Sequence, residues 1–213
     1  AAIPVALPAA QANAEWTQTG GSASKAAGHF ALGAAPQRAW TAQVAGSTQR
    51  VRLASAPVVG GGRLYAVGSD GAISAFDAAT GSRLWVHASD VAKDLRNVVF
   101  GGGVSFADGK LYATNGAGEV FALDAATGSQ LWKVKPAGPL RGAPTVDFGS
   151  AYVMTQDNQI IALNAADGKL QWQESAAATA SGVFGVAAPA AGQGTVIAGY
   201  SSGELVAYRY ENG

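Results

Sequence analysis

An all-β chain of four-stranded antiparallel blades, an incomplete β-propeller, is what this sequence predicts, and three observations predict it. A ten-residue phrase recurs, as FDAATGSRLW at 76–85, LDAATGSQLW at 123–132 and, loosened, LNAADGKLQW at 163–172. Tryptophans stand at Trp40, Trp85, Trp132 and Trp172, at spacings of 45, 47 and 40 residues. Between them, runs rich in Val, Ile, Leu, Tyr and Phe alternate with turns marked by Gly, Asn and Asp, and no window holds a helical apolar period. Four short strands at this pitch make one propeller blade. A blade cannot bury both faces alone, so blades stack around an axis.

Taken in order, residues 1–14 are Ala/Pro-rich, have little that packs, and read as a tether. Residues 15–37 are a lead-in. It contains GGSASK at 20–25, which lacks the G-K-[ST] ending and preceding strand of a phosphate loop and reads as a flexible Gly/Ser stretch. The propeller spans 38–213, with a Trp strand at 38–46, blades at about 55–89, 101–135 and 142–175, and a truncated blade at 185–213. Each blade opens on small residues (SAPVV at 55–59, GGVSF at 102–106, GAPTV at 142–146, AAPAA at 187–191). Two β-rich segments follow, then the Trp strand, which the last blade lacks. GGG at 60–62 and 101–103 are expected as turns between strands.

The repeated phrase has a structural reading. Asp77 and Asp124 are placed to bond backbone amides ahead of them, while Gly81, Gly128 and Gly168 accept a positive φ. The chain then reverses into the outermost strand, whose Trp lays its ring over the adjacent blade and aims its indole N–H at a backbone carbonyl.

Composition narrows the function. The 213 residues carry a formal net charge of +0, only 13% are charged, and no like-charge run exceeds two, which excludes a basic nucleic-acid face. There is no cysteine, hence no disulfide, thiolate metal site or cysteine nucleophile. The uncharged 175–203 stretch is broken throughout by Gly, Pro and Ser and reads as strands and loops rather than a membrane span. His29 and His87 are the only histidines. They lack the paired Glu or Cys of a zinc site, and His87 is expected on the outer surface. SDG at 69–71 and QDN at 156–158 supply too few oxygens for calcium. No catalytic, metal or cofactor residue is assigned, so the chain reads as a non-enzyme without a cofactor.

The [DN]-A-A-[TD]-G-x-x-x-W phrase resembles the repeat of the pyrroloquinoline-quinone-type β-propellers. The LPAAQANAEWTQTGG lead-in (7–21), RAWTAQVAG (38–46), AGPLRGAPTV (137–146) and GYSSGELVAYRYENG (199–213) are most similar to the BamB family of outer-membrane assembly lipoproteins. That resemblance implies an eight-bladed ring, of which this chain is expected to hold an N-terminal piece of about four blades. It also implies a scaffold at the periplasmic face of the outer membrane, docked to the periplasmic repeats of a BamA-like barrel subunit. Membrane attachment would be only through a lipid anchor upstream of this chain. The family's partner loop aligns with 178–186, which places partner binding at Gly182, Val183, Phe184 and Gly185 within the apolar loop 174–189. The family's Arg has no counterpart there. A second apolar loop, 89–103, carries Leu95, Val98, Val99 and Phe100, and Leu140-Arg141 reads as channel-lining or capping. Two rival readings are a fragment of a quinone-dependent dehydrogenase and a polymer- or carbohydrate-binding propeller. Bound quinone or calcium would mark the first, and aromatics crowded on one rim the second.

Overall fold

The computed structural model describes residues 6–47, 55–91, 102–177 and 188–213. The described residues contain strands and no helix, arranged in four antiparallel sheets in chain order. The first sheet is β1 (Val58–Gly60), β2 (Arg63–Val67), β3 (Ile73–Asp77) and β4 (Arg83–His87). The second is β5 (Gly103–Ala107), β6 (Lys110–Thr114), β7 (Val120–Asp124) and β8 (Gln130–Val134). The third is β9 (Leu140–Asp147), β10 (Ser150–Thr155), β11 (Gln159–Asn164) and β12 (Leu170–Ser175). The fourth has three strands, β13 (Ala190–Gly192), β14 (Thr195–Gly199) and β15 (Leu205–Arg209). These are meandering propeller blades, each inner strand nearest its neighbours' inner strands.

Turn chemistry sets the register. Each first-to-second-strand hairpin places two successive residues at positive φ: Gly61-Gly62, Asp108-Gly109, Phe148-Gly149 and Gln193-Gly194. That pair is the two-residue turn whose twist matches the strands it joins, and glycine always holds its second place. The resulting ladders repeat one row in every blade. It runs Val58–Tyr65–Ala75–Trp85, then Ser105–Tyr112–Ala122–Trp132, then Thr145–Tyr152–Ala162–Trp172. Within each row the Tyr and Trp rings touch across the small Ala, at centroid distances of 5.9, 6.2 and 5.8 Å. In the fourth blade the row reads Ala190–Ile197–Ala207 and ends there.

The core lies between blades. Val58, Tyr65, Ile73 and Ala75 of the first blade form one cluster with Val104, Leu111, Ala113, Phe121 and Leu123 of the second. Each fully buried aliphatic side chain contributes on the order of 1.5–3 kcal/mol. Inner strands are also stitched by hydroxyls: Ser105 Oγ donates to the Pro144 carbonyl at 2.6 Å and Thr145 Oγ1 to the Pro189 carbonyl at 2.5 Å.

Two sequence expectations are corrected. Residues 38–46, expected as a Trp strand, run without a ladder, because no sheet of their own stands beside them among the described residues. Their backbone instead reaches the first blade, where the Ser69 amide donates to the Ala45 carbonyl at 2.9 Å. The 101–103 glycines were expected as a turn. Gly101 lies outside the described residues, while Gly102 bridges Gly142 in parallel and Gly103 opens β5. A Cβ at Gly102 would run into the Thr114 carbonyl, so glycine there permits two backbones to approach.

Candidate functional site

The repeated phrase builds the joint between blades. Trp40, Trp85, Trp132 and Trp172 donate their indole N–H to the carbonyls of Ala78, Ala125, Ala165 and Tyr210, at 3.0, 3.2, 3.1 and 2.9 Å. Each acceptor belongs to the following blade. Each ring sits on that blade's glycine: a Cβ on Gly81, Gly128, Gly168 or Gly213 would fall 2.6, 2.7, 2.7 or 3.2 Å from the nearest indole carbon. Trp40 therefore makes the same joint as the other three without belonging to a sheet.

The carboxylates of the phrase brace its turn. Asp77 Oδ1 accepts from the Ala79 amide at 3.1 Å, the Thr80 amide at 2.8 Å and the Thr80 hydroxyl at 2.9 Å. Asp124 repeats this with Ala126 and Thr127 at 3.0, 2.8 and 2.8 Å, and Asn164 accepts from Ala166 at 2.8 Å. Donation from the Thr80 amide and then its hydroxyl holds Asp77 below the usual carboxylate range. For Asp124 the Thr127 hydroxyl leads and its amide follows. Acceptors with this many donors are turn caps rather than poised bases.

His87, expected on the outer surface, is half-buried between blades. Its Nδ1 is 3.1 Å from the Gly128 carbonyl and its ring 5.9 Å from Phe121. It lies on the Trp85 side of β4, which is why it meets the next blade. His29 is exposed, with Nδ1 2.8 Å from the Pro8 carbonyl. Leu140 is buried with Val120 of the second blade and Val153, Ile161 and Leu163 of the third. Gly182, Val183, Phe184 and Gly185 lie outside the described residues, as do Leu95, Val98, Val99 and Phe100. At the described edge of the second loop, Lys133 Nζ bridges Asp90 at 2.7 Å and Glu119 at 2.9 Å.

The lead-in is where sequence reasoning missed most. Four residues at one repeat position of the inner strands, Val59, Phe106, Val146 and Ala191, each donate an amide to it. The acceptors are the Trp16 carbonyl at 2.8 Å, the Thr17 carbonyl at 2.7 Å, Gln18 Oε1 at 3.0 Å and the Ala23 carbonyl at 2.9 Å. Gln18 is buried, and its Nε2 returns a bond to the Val146 carbonyl at 2.8 Å. The 20–25 stretch, expected as flexible Gly/Ser, is the bend that carries the chain from the third inner strand to the fourth. Gly21 packs there on the Trp16 ring, where a Cβ would meet ring carbon at 3.4 Å. Lys25 closes the bend at φ 56°, its Nζ buried without a hydrogen-bond partner, and burial lowers its pKa to about 8. No local pattern announces this segment, since its bonds reach from Gln18 to Val146 and from Ala23 to Ala191.

Among the described residues, no group of three or more His, Cys, Asp or Glu is placed to hold a metal ion, and no helix is long and apolar enough to cross a membrane. Fold and joint together define the class: a Trp-phrase β-propeller whose repeated polar residues are engaged in building blades. Within that class, the outer membrane protein assembly factor BamB family matches residues 5–99 and 69–213, and the chain belongs to it. It is 30% identical over 184 residues to outer membrane protein assembly factor BamB of Bordetella pertussis, covering 86% of this chain and 45% of that protein. The chain thus spans about half the length of the curated relatives it matches. The crystal structure of BamB from Moraxella catarrhalis superposes with a TM-score of 0.66 at 22% identity, over 75% of this chain and 46% of that one. The quinohemoprotein alcohol dehydrogenase ADHIIG of Pseudomonas putida HK5 gives 0.69 at 16% identity, over 94% and 39%. Both structural likenesses are of fold.

Proposed function

We propose that this chain is a non-catalytic scaffold of outer-membrane β-barrel protein assembly, working at the periplasmic face of that membrane. It docks to the periplasmic repeats of a BamA-like subunit through the 174–189 loop, with Gly182, Val183, Phe184 and Gly185 at the contact. Membrane attachment is by a lipid anchor upstream of these residues. The observation that carries this reading is membership of the BamB family over nearly the whole chain. Geometry supports it: the carboxylates and indoles that recur with the repeat are engaged in turn caps and inter-blade joints. The inner-strand amides facing the lead-in are likewise occupied by the chain's own residues 16–23. The surface left for function is therefore that of loops, which is what a scaffold offers a partner.

The test is capture of the chain by the purified periplasmic repeats of a BamA-like subunit, comparing wild type with Phe184→Ala and following thermal melts of both. An aromatic anchor at the centre of an interface commonly contributes about 2 kcal/mol or more, so binding should fall at least tenfold with an unchanged melt. Equal binding by Phe184→Ala, or an early melt, removes the loop as the docking site.

A further inference from the structure

Between the second and third strands of each blade the chain turns sharply, with one residue at positive φ: Gly71 at 78°, Gly118 at 87°, Asn158 at 63° and Gly203 at 89°. Three blades use glycine, which takes that backbone without strain. The third uses asparagine, which tolerates it better than most side chains. Its side chain is 2% exposed and fully engaged. Nδ2 donates to the Ala177 carbonyl at 3.0 Å, and Oδ1 accepts from the Ser201 hydroxyl at 2.6 Å and the Ser201 amide at 3.2 Å. The Asn158 carbonyl accepts from the Ala176 amide at 2.9 Å. Ala176 and Ala177 are the last described residues before the 178–187 stretch, and Ser201 lies in the corresponding turn of the fourth blade.

The next residue of this turn carries a second clamp. It is Ala72, Glu119, Gln159 and Glu204 in the four blades. Glu204 Oε2 accepts from the Ala177 amide at 3.2 Å and from the Ser202 hydroxyl at 2.6 Å. Donation from that hydroxyl and then that amide holds Glu204 below the usual carboxylate range. Ala177 is thus gripped at its carbonyl by the third blade and at its amide by the fourth. Glu119 does the same work at the crossing into the second blade, through Lys133 Nζ, which bridges it to Asp90 while Val91 packs on Ala117. Both glutamates stand in blades entered by a long crossing, residues 88–102 and 176–189. The blade entered by the short 135–139 crossing has Gln159.

We propose that Asn158 and Glu204 are positioning residues for partner docking: clamping Ala177 from two blades, they fix the point from which the 178–187 stretch leaves the platform. This rests on the reading of that stretch as the docking loop. A loop with a fixed root has less freedom to lose on binding than one with a loose root, so the clamp contributes affinity without touching the partner.

Capture of the chain by the purified periplasmic repeats of a BamA-like subunit tests this, with a thermal melt of each variant. Asn158→Gly installs the residue that the other three blades carry, keeping the backbone turn and removing only the side-chain bonds. Glu204→Ala removes the second clamp, and Glu204→Gln keeps an acceptor for the Ala177 amide. The dissociation constant should rise about three- to tenfold in Asn158→Gly and in Glu204→Ala and stay near wild type in Glu204→Gln, with unchanged melts. In a Phe184→Ala background neither loss should add to that of Phe184→Ala, since both act through the loop. Wild-type affinity in Asn158→Gly and Glu204→Ala, beside a weakened Phe184→Ala, overturns the clamp and leaves the docking loop standing. A loss that persists in full on top of Phe184→Ala overturns it too. If Phe184→Ala binds like wild type, the docking reading itself fails and takes the clamp's role in binding with it. Should Asn158→Gly melt early, Glu204→Ala against Glu204→Gln decides on the same terms.

Discussion

Replacing Gly128 with Ala separates the two demands that the repeated phrase makes of its glycine. Gly128 sits at φ 75°, and a Cβ there would lie 2.7, 2.8 and 3.1 Å from Cε3, Cδ2 and Cζ3 of Trp85. Carbons in the middle of a packed indole cannot swing aside as the end of a lysine can. Left-handed backbone costs a non-glycine residue roughly 1–2 kcal/mol. Overpacking adds roughly 1–3 kcal/mol, and the lower freedom of the unfolded chain returns about 0.4–1 kcal/mol. Gly128→Ala should therefore destabilise by about 2–4 kcal/mol. Gly109 provides the control. Its φ is 72°, and a Cβ there would have nothing within 4 Å, so only the backbone cost remains, about 1 kcal/mol. Urea unfolding of the two single variants, of Trp85→Ala and of the Trp85→Ala/Gly128→Ala pair closes a double-mutant cycle. With the ring gone, Gly128→Ala should fall to the Gly109→Ala cost, a coupling of about 1–3 kcal/mol. Equal costs at Gly128 and Gly109, or no coupling to Trp85, would refute the wedge.

Gln18→Leu leaves the Val146 amide and carbonyl buried without their partner, which should cost about 1–3 kcal/mol in urea and speed amide exchange at Val146 first. Asp124 has its pKa held below the ordinary 3.8, so its contribution is complete above that value and is lost as pH falls through the lower folded value. Asp124→Asn keeps an acceptor, as Asn164 does in the third blade, and should flatten the acid limb of melting temperature against pH; an unchanged acid limb counts against the turn-cap reading. Lys25 has the opposite sense: with a folded pKa of about 8 against 10.5 unfolded, its burial costs stability in full below pH 8, and that cost is relieved as pH rises towards 10.5. Lys25→Met should raise the melt at pH 7 and lose that advantage at high pH; no gain at pH 7 means the ammonium is solvated. Pyrroloquinoline quinone with calcium should give no dye reduction on alcohols or sugars above buffer, and stoichiometric turnover would move the chain to the dehydrogenases.

What the sequence made legible is what the repeat carries. One phrase per blade marks the turn, the Trp and the glycine. Once Tyr65, Tyr112 and Tyr152 are aligned, the same row of small residue, Tyr, Ala and Trp follows in three blades. Two kinds of feature escaped. A ladder belongs to a pair of strands, so the Trp pattern of 38–46 suggested a strand that the described residues supply with no partner. The lead-in WTQTGGSAS has no period, and its weight lies in four acceptors that meet amides as far away as Ala191. Gln18 shows why no local rule finds it. A glutamine between two threonines reads as solvent-facing, yet it is buried because the third inner strand offers it both an amide and a carbonyl. The His87 error has the same root, since its environment is set by the Gly128 carbonyl of another blade. The loop proposed for the partner, 182–185, lies outside the described residues and outside the repeated phrase, so its role has to come from binding rather than from pattern. In a chain built this way, repetition encodes the blades. The lead-in that threads the inner strands is written once and owes its environment to distant residues.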